Sequence, residues 1–243
     1  MRRRSSWHVD RENSGDRVSV ARDTGRASVA GMIAKEPRYR NVFGVDVESS
    51  TTRPDSAKAR MRDAMYRIVT EAFVRNGVGE ADHDPFLDRG DGLIALLPPA
   101  DRVPKTLLLR SFAPDLSRLV DEHNEHHPED RLRLRTVLHA GEVRYDTRAP
   151  FGETLDVAFR LLGSPVTKRA LRRTAAPVVL AVSDEIHRSI VRHDYDGIDP
   201  RTFTEFPVRR NATTWDRGWL HVPRAAAHAL VSFDRDGHSS AAT

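Results

Sequence analysis

Two strand-like apolar segments of the sequence each carry one aspartate. Asp46 lies within the apolar residues 42–47, and Asp91 stands directly before the apolar residues 92–97. A lone carboxylate in such a strand is costly unless a cation or hydrogen-bond donors satisfy it. Two carboxylates brought side by side repel each other unless a divalent cation lies between them. The pair therefore predicts a metal site built on a β-sheet.

The length and composition of the chain limit the class of protein. A chain of 243 residues suits one domain with tails. No apolar run approaches the roughly 20 residues that span a bilayer, and the N-terminus lacks the apolar core of a secretory signal. We therefore expect no membrane insertion and a cytoplasmic location. The chain has no cysteine, which excludes disulfides, thiolate metal sites and cysteine nucleophiles.

The positive charge is concentrated near the N-terminus. Residues 1–40 contain ten Lys and Arg against five Asp and Glu, whereas residues 41–243 contain 29 against 30. The body is nearly neutral, so we predict no specific nucleic-acid partner. Composition also predicts a disordered basic leader over residues 1–38, one folded domain over 39–224 and a flexible C-terminal tail over 225–243.

Within the predicted domain, strand and helix patterns follow one another in the order strand, helix, hairpin, helix, strand, helix, strand. Apolar residues at three- and four-residue spacing predict a helix over 55–76, and Pro114 should bend or split a second helix over 104–126. The order indicates an α+β protein with a ferredoxin-like core, a mostly antiparallel sheet covered by helices on one face. The hairpin at its centre argues against a doubly wound parallel sheet.

In that topology the first strand lies beside the hairpin, so Asp46 and Asp91 converge. Two carboxylates that hold one or two Mg²⁺ or Mn²⁺ ions are typical of in-line displacement at a phosphate. Ser49, Ser50 and Thr51 stand where the strand leads into a helix, and free amides at a helix N-terminus bind phosphate. The spacing leaves open the alternative that these three residues only cap the helix.

Four segments in order, FGVDVESST, DRGDGLIALL, LRTVLHAGEV and FGETLDVAFRLL, resemble the catalytic domain of class III nucleotidyl cyclases. The resemblance implies the nucleotidyl cyclase palm fold and conversion of a ribonucleoside 5′-triphosphate to a 3′,5′-cyclic nucleotide and pyrophosphate. It assigns Asp46 and Asp91 as ligands of two metal ions, with the Val47 carbonyl as a further ligand. It implies that Arg160 stabilises the charge at the α-phosphate in the transition state. It also implies a homodimer in which metal and arginine come from opposite subunits.

The sequence departs from this family at three positions. Asp156 replaces an asparagine one helical turn before Arg160, and its charge would oppose a triphosphate unless it is protonated, paired with Arg160 or turned toward the metal. Leu87 and Ala149 occupy the two base-binding positions, where purine cyclases have a lysine and an acidic or polar residue. The base is therefore unassigned, and a pyrimidine substrate becomes a hypothesis.

Pyrimidine cyclases of bacterial anti-phage systems (Pycsar) are similar stand-alone domains that make cUMP or cCMP and switch on a downstream effector. Our leading functional hypothesis is an active nucleotidyl cyclase that uses two metal ions, and the same role in antiviral defence is a further hypothesis. The alternative is a catalytically degenerate cyclase-like module that binds a nucleotide or regulates a partner. A diguanylate cyclase is disfavoured because RGDGL stands where its Gly-Gly-acidic-acidic-Phe hairpin is expected. A DNA-binding role is weaker still.

Overall fold

The computed structural model describes residues 36–49 and 53–223. The predicted leader and tail fall almost entirely outside these residues, as do Ser50 and Thr51. The first strand begins at Arg38, the last residue of the predicted leader. None of the helices in the described ranges has the combination of length and hydropathy that a bilayer crossing requires.

The described chain is organised around an eight-stranded sheet with the strand order β2-β3-β1-β4-β6-β8-β7 and with β5 paired to β4. The strands are β1 (Arg38–Val47), β2 (Leu87–Asp88), β3 (Gly92–Leu97), β4 (Leu134–Tyr145), β5 (Pro150–Phe151), β6 (Val178–Ser183), β7 (Thr204–Arg209) and β8 (Trp215–His221). Only β4 and β6 pair in parallel within this sheet. The predicted α+β class and mostly antiparallel sheet are confirmed.

The helices connect these strands and pack on the sheet. They are α1 (Asp55–Arg75), α2 (Ala113–His126), α3 (Glu153–Gly163), α4 (Pro165–Arg173) and α5 (Asp184–Ser189). The predicted bend or split at Pro114 takes the form of a π-helical segment over Leu108–Phe112 directly before α2, and the chain is helical on both sides of it. Proline has no amide hydrogen to donate and its ring crowds the preceding turn, so the regular ladder cannot pass through it.

Helices cover both faces of the sheet, and the prediction of helices on one face was wrong. Phe43 and Val45 of β1 pack in a core with α1 and α2, and we call this side the α1–α2 face. Val42 points the other way and packs with α3, which defines the α3 face. Successive side chains of a strand point to opposite faces of the sheet. A strand with apolar residues on both faces must therefore be covered on both sides.

Gly44 lets α3 approach the sheet closely. A Cβ atom at this position would lie 2.8 Å from side-chain carbons of both Ile94 and Val137, and 3.7 Å from Leu162 of α3. The missing side chain leaves room for these neighbours to interlock. Two residues further along β1 on the same face stands Asp46, so the C-terminal end of α3 is held near this carboxylate.

Candidate active site

Asp46 and Asp91 lie at the same end of two neighbouring strands. Asp46 is opposite Gly92 in the β1–β3 register, and the Val47 amide donates a 2.9 Å hydrogen bond to the carbonyl oxygen of Asp91. Both aspartates line one cavity of about 600 Å³, which we call the carboxylate cavity. The structure therefore brings together the two residues that the sequence predicts will converge.

The tip of the β2–β3 hairpin is held by local hydrogen bonds and by an arginine of α1. The Gly90 amide donates to Asp88 Oδ1 over 2.7 Å. Arg62 donates to the same carboxylate and to the Gly90 carbonyl, and this guanidinium lowers the pKa of Asp88. These bonds fix the backbone directly before Asp91, so that its position does not depend on an unsupported turn.

Asp46 is satisfied by a buried cation that the sequence reasoning missed. Arg135 of β4 is its partner in the β1–β4 register, and the two side chains form an ion pair. The Arg135 side chain is 12% exposed and that of Asp46 is 20% exposed. Burial, followed by the positive charge of Arg172, lowers the pKa of Arg135. The pair supplies the cation that a carboxylate in an apolar strand requires.

The carboxylate cavity is lined by charges of both signs from four parts of the chain. The acidic residues are Asp46, Glu48 and Asp91, and the basic ones are Arg89, Arg135, Lys168 and Arg172. Arg89 lies over the ring of Phe159 at 4.3 Å from its centroid, which supports its flat guanidinium. A cavity with carboxylates beside several cations suits a ligand that combines a metal ion with a polyanion.

The oxygen donors fit a hard divalent cation. Mg²⁺ is commonly held by one or two carboxylates together with phosphate oxygens and water. Asp46 and Asp91 supply two such carboxylates, and the predicted Val47 carbonyl belongs to a residue that lines the same cavity. Within residues 36–49 and 53–223 there is no group of three or more His, Cys, Asp and Glu side chains suited to a metal. The donor set therefore matches an ion that completes its shell with a phosphate ligand.

The predicted phosphate-binding segment is only partly described. Ser49 lines the carboxylate cavity and has a left-handed backbone with φ of 58°. Ser50 and Thr51 lie outside the described residues. The helix α1 begins at Asp55 after Pro54, and its N-terminus has no side-chain capping hydrogen bond.

Arg160 lies on α3 and faces a different cavity from the two aspartates. That cavity, of about 560 Å³, is also lined by Arg209 and Trp215, and we call it the arginine cavity. The Arg160 guanidinium approaches Asp216 at 3.7 Å, while its buried Nε and Nη2 atoms have no hydrogen-bond partner in the described part of the chain. Asp156, four residues earlier, is exposed and forms no ion pair with Arg160 there.

The two predicted base-binding positions also lie away from the carboxylate cavity within one chain. Leu87 pairs with Ile94 at the edge strand β2 and packs against the apolar cluster under α3. Ala149 is exposed in the loop before β5, where its amide donates to Asp146 over 2.9 Å. Neither position offers a charged or hydrogen-bonding side chain for reading a base.

The basic half of the carboxylate cavity is the part that sequence reasoning missed. Arg135 alternates with apolar residues in β4, and this pattern is equally typical of an exposed strand face. Lys168 and Arg172 are four residues apart, a spacing that puts both on one side of a helix. That spacing was visible in the sequence, but only the tertiary fold shows that this side faces Asp46.

Comparison with solved structures identifies the fold. An adenylate/guanylate cyclase/hydrolase from Silicibacter pomeroyi matches with a TM-score of 0.52 at 19% identity over 77% of this chain and 98% of that chain. The guanylate cyclase domain of RhGC from Catenaria anguillulae, in complex with GTP, matches with a TM-score of 0.53 at 16% identity over 78% and 99%. A bacterial light-regulated adenylyl cyclase matches with a TM-score of 0.52 at 13% identity over 76% and 90%.

Sequence comparison adds no closer assignment. No protein-family model matches the chain, and no curated protein shows significant sequence similarity to it. At identities of 19% and below the structural matches establish the architecture, and they agree with the order of strands and helices that the sequence predicts. The described part of the chain has the fold of the class III adenylate/guanylate cyclase catalytic domain.

Proposed function

We propose that this protein is a nucleotidyl cyclase, which converts a ribonucleoside 5′-triphosphate to a 3′,5′-cyclic nucleotide and pyrophosphate. The observation that carries the proposal is the carboxylate cavity, where Asp46 and Asp91 stand at the end of neighbouring strands and face basic side chains. The structural neighbours named above are adenylate and guanylate cyclases, and one of them was crystallised with GTP. Fold and site chemistry thus support the same reaction.

The proposed reaction needs no redox partner or second substrate. The 3′-hydroxyl oxygen bonds to the α-phosphorus while its proton passes to water, and the bond from the α-phosphorus to the bridging oxygen breaks. Pyrophosphate leaves with the bonding electrons. The chain's own part is to hold the triphosphate in line with the hydroxyl and to counter its charge. Arg89 and Arg135, which line the cavity, are suited to that second task.

We propose two-metal catalysis with Mg²⁺ or Mn²⁺ held by Asp46, Asp91 and the Val47 carbonyl. When bound, such ions lower the pKa of the attacking hydroxyl and neutralise phosphate charge. Arg135 already neutralises Asp46 in the described chain. A triphosphate offers Arg135 an alternative anionic partner, which would release Asp46 for coordination. Substrate and metal should therefore bind with positive coupling.

The proposed active form is a homodimer. Arg160 lines the arginine cavity and not the carboxylate cavity, although the two cavities adjoin at Phe159 and Gly163. Its side chain is 25% exposed and only loosely paired with Asp216 at 3.7 Å, and its Nε and Nη2 atoms have no hydrogen-bond partner in the described chain. We propose that Arg160 stabilises the transition-state charge in the partner's site, with the exposed Asp156 beside it. Trp215, which is 58% exposed, borders the same surface.

The proposed base is a pyrimidine. Leu87 and Ala149 provide no side-chain hydrogen bonds to distinguish adenine from guanine, whereas a site that reads a purine needs polar partners for the edge of the base. We propose a product of cUMP or cCMP, with signalling to a cyclic-nucleotide-activated effector in anti-phage defence. A gene for a membrane-spanning or cyclic-nucleotide-sensing protein beside this one would support that role.

A nucleotide panel tests the proposed function. Wild type and Asp46→Ala are incubated with ATP, GTP, CTP and UTP in turn, with Mn²⁺, and the products are separated by chromatography. We expect a cyclic pyrimidine nucleotide with wild type and none with Asp46→Ala. Cyclisation of ATP or GTP but not UTP or CTP would overturn the pyrimidine assignment and leave the cyclase assignment standing.

The same panel separates the competing regulatory function. The ion pair between Asp46 and Arg135 is the observation that favours a degenerate module, because a carboxylate held by arginine does not need a metal. If wild type binds a triphosphate in calorimetry but consumes none of the four, that function stands and catalysis is excluded.

A further inference from the structure

The helix α4 presents two cations to the carboxylate cavity that neither the sequence motifs nor the proposed metal site uses. Lys168 and Arg172 both line the cavity, and their four-residue spacing places them on one side of α4. Arg169 lines the arginine cavity instead, so α4 carries basic residues on two different sides. The side with Lys168 and Arg172 lines the cavity of Asp46 and Asp91, where the substrate is proposed to bind.

These two cations are not neutralised within the described chain. Neither forms an ion pair with any described carboxylate, and the hydrogen bond of Arg172 runs from Nε to the Lys168 carbonyl over 3.4 Å. Like charges four residues apart on a helix repel each other. Lys168 and Arg172, which we call the basic wall, therefore offer the cavity two positive charges that no described carboxylate pairs.

The ordinary structural explanation accounts for part of this helix only. Basic residues in the last turn of a helix interact favourably with its dipole, and that holds equally for Arg172 and Arg173. It does not explain Lys168, which lies in the middle of the helix. It also does not explain why the pair lines a cavity with carboxylates on another wall.

We propose that Lys168 and Arg172 bind the β- and γ-phosphates of the substrate and then the pyrophosphate leaving group. The inference rests on the proposed function and deepens it, because it assigns the triphosphate's direction in the cavity. The α-phosphate lies toward Asp46 and Asp91, and the terminal phosphates lie toward α4. Arg135, which pairs with Asp46, lines the same cavity.

This direction suits the course of the reaction. As the bond from the α-phosphorus to the bridging oxygen breaks, that oxygen keeps the electron pair and negative charge grows on pyrophosphate. Cations near the departing group therefore stabilise the transition state, where this charge develops, more strongly than they stabilise the ground state. Loss of Lys168 or Arg172 should therefore raise KM and also lower kcat.

Calorimetry with inorganic tripolyphosphate tests the inference without any need for turnover. The proteins are wild type, Lys168→Ala, Arg172→Ala, the double variant and Arg173→Ala. Arg173 is the matched control, since it is an exposed arginine in the same last turn and does not line the cavity. We expect Kd for tripolyphosphate to rise about tenfold in each single variant and about a hundredfold in the double variant. Arg173→Ala should change it less than about twofold.

Further measurements make the result decisive. Far-UV circular dichroism and urea unfolding show whether each variant is folded. The variant Lys168→Arg should bind tripolyphosphate as wild type does, because the positive charge is kept. Turnover of the best triphosphate gives KM and kcat for the same proteins. A single-stranded RNA oligonucleotide is titrated as a second source of phosphate. RNA binding tighter than tripolyphosphate would assign the basic wall to nucleic acid and overturn the proposal.

The outcomes for this inference and for the proposed function can be told apart. If no triphosphate is cyclised but tripolyphosphate binding depends on Lys168 and Arg172, the inference stands and the cyclase assignment fails. If wild type is an active cyclase while the double variant keeps its tripolyphosphate affinity and KM, the cyclase assignment stands and the inference is refuted. Failure of wild type to bind tripolyphosphate would also refute the inference.

Discussion

The two faces of the sheet are made by alternate residues of the same strands, yet they differ in polarity. On the α1–α2 face, Phe43 and Val45 of β1 are buried in a continuous apolar core. On the α3 face, the alternate residues of β1 run from Val42 through Gly44 to Asp46, and α3 covers the first two positions. The polar end of the strand is left to the carboxylate cavity.

This difference indicates how a stable sheet can carry charged groups. The closed apolar core supplies the stability, and on the other side polar residues stand on the central strands beyond the positions that the short helix covers. Along the α3 face of β4, Arg135 and His139 stand at either side of Val137, which packs under α3. Substitutions on the two faces should therefore act on different properties of the protein.

The largest effect is expected from a mixing experiment on the α3 face. Asp46→Ala and Arg160→Ala should each lower turnover about a thousandfold, since each removes charge stabilisation from every site. In a homodimer with sites shared between subunits, an equal mixture yields half heterodimers, each with one intact site. The mixture should therefore regain about a quarter of wild-type activity.

The control for mixing is a pair that cannot complement. Asp46→Ala mixed with Asp91→Ala places both defects on the same wall of the same cavity, so every site keeps one defect and activity should not return. Activity measured against total protein concentration shows whether regain requires association. No regain in the Asp46 and Arg160 mixture, with subunit exchange verified by mass spectrometry, would contradict the shared site.

The next effect is on stability and compares the two faces directly. The Phe43 ring is fully buried and packs edge-to-face against Phe112, with centroids 4.8 Å apart. Phe43→Ala should lower the free energy of unfolding by about 3–5 kcal/mol because it leaves a cavity in the core. Asp46→Asn, three residues away, keeps the size of the side chain and should cost about 1–2 kcal/mol through the weakened contact with Arg135. Urea unfolding of both variants measures the difference.

The activity of the same two variants completes that comparison. Phe43→Ala should keep wild-type turnover per folded molecule at low temperature, whereas Asp46→Asn should lose turnover while it stays folded. Equal destabilisation by the two substitutions would remove the distinction between a face for stability and a face for chemistry.

A smaller effect is expected from removing the partner of Asp46. Arg135→Gln removes a cation that competes with metal for this carboxylate, so the affinity for Mn²⁺ without nucleotide should rise by about five- to tenfold. Electron paramagnetic resonance of free Mn²⁺ measures this directly. Arg144→Gln, an exposed arginine near the other end of β4, is the control. A fall in Mn²⁺ affinity would mean that Arg135 positions Asp46 for the metal rather than competes with it.

Local patterns predicted the fold well. The spacing of apolar residues predicted the C-terminal end of α1 to within one residue. Pro114 predicted an irregularity in the next helical stretch, where the π-helical segment precedes α2. The convergence of Asp46 and Asp91 followed from the pairing of β1 with the hairpin, which is adjacent in topology. In the first two cases a few neighbouring residues determine the structure, and in the third the order of the elements does.

The basic half of the site could not be predicted in the same way. Asp46 and Arg135 are 89 positions apart in the sequence, and their contact depends on the register of β1 against β4. Lys168 and Arg172 reach the cavity because α3 and α4 pack on the sheet at a particular place. Long-range register and helix placement are tertiary properties, and no local spacing encodes them.

The smallest effect is a pH dependence at the other end of the α3 face. Burial, with the nearby charges of Lys105 and Arg160, lowers the pKa of His139 to about 4, and its Nδ1 lies 2.7 Å from Ser183 Oγ. A histidine with a lower pKa in the folded state takes up a proton on unfolding, so its contribution to stability is full above about pH 6.5 and is lost as the pH falls toward 4. Between pH 7 and 4.5, wild type should lose about 2 kcal/mol more unfolding free energy than His139→Gln.

The control is His126→Gln, at an exposed helix end, whose stability should change with pH as that of wild type does. Parallel curves for wild type and His139→Gln would show that this end of the face tolerates charge as readily as the carboxylate cavity.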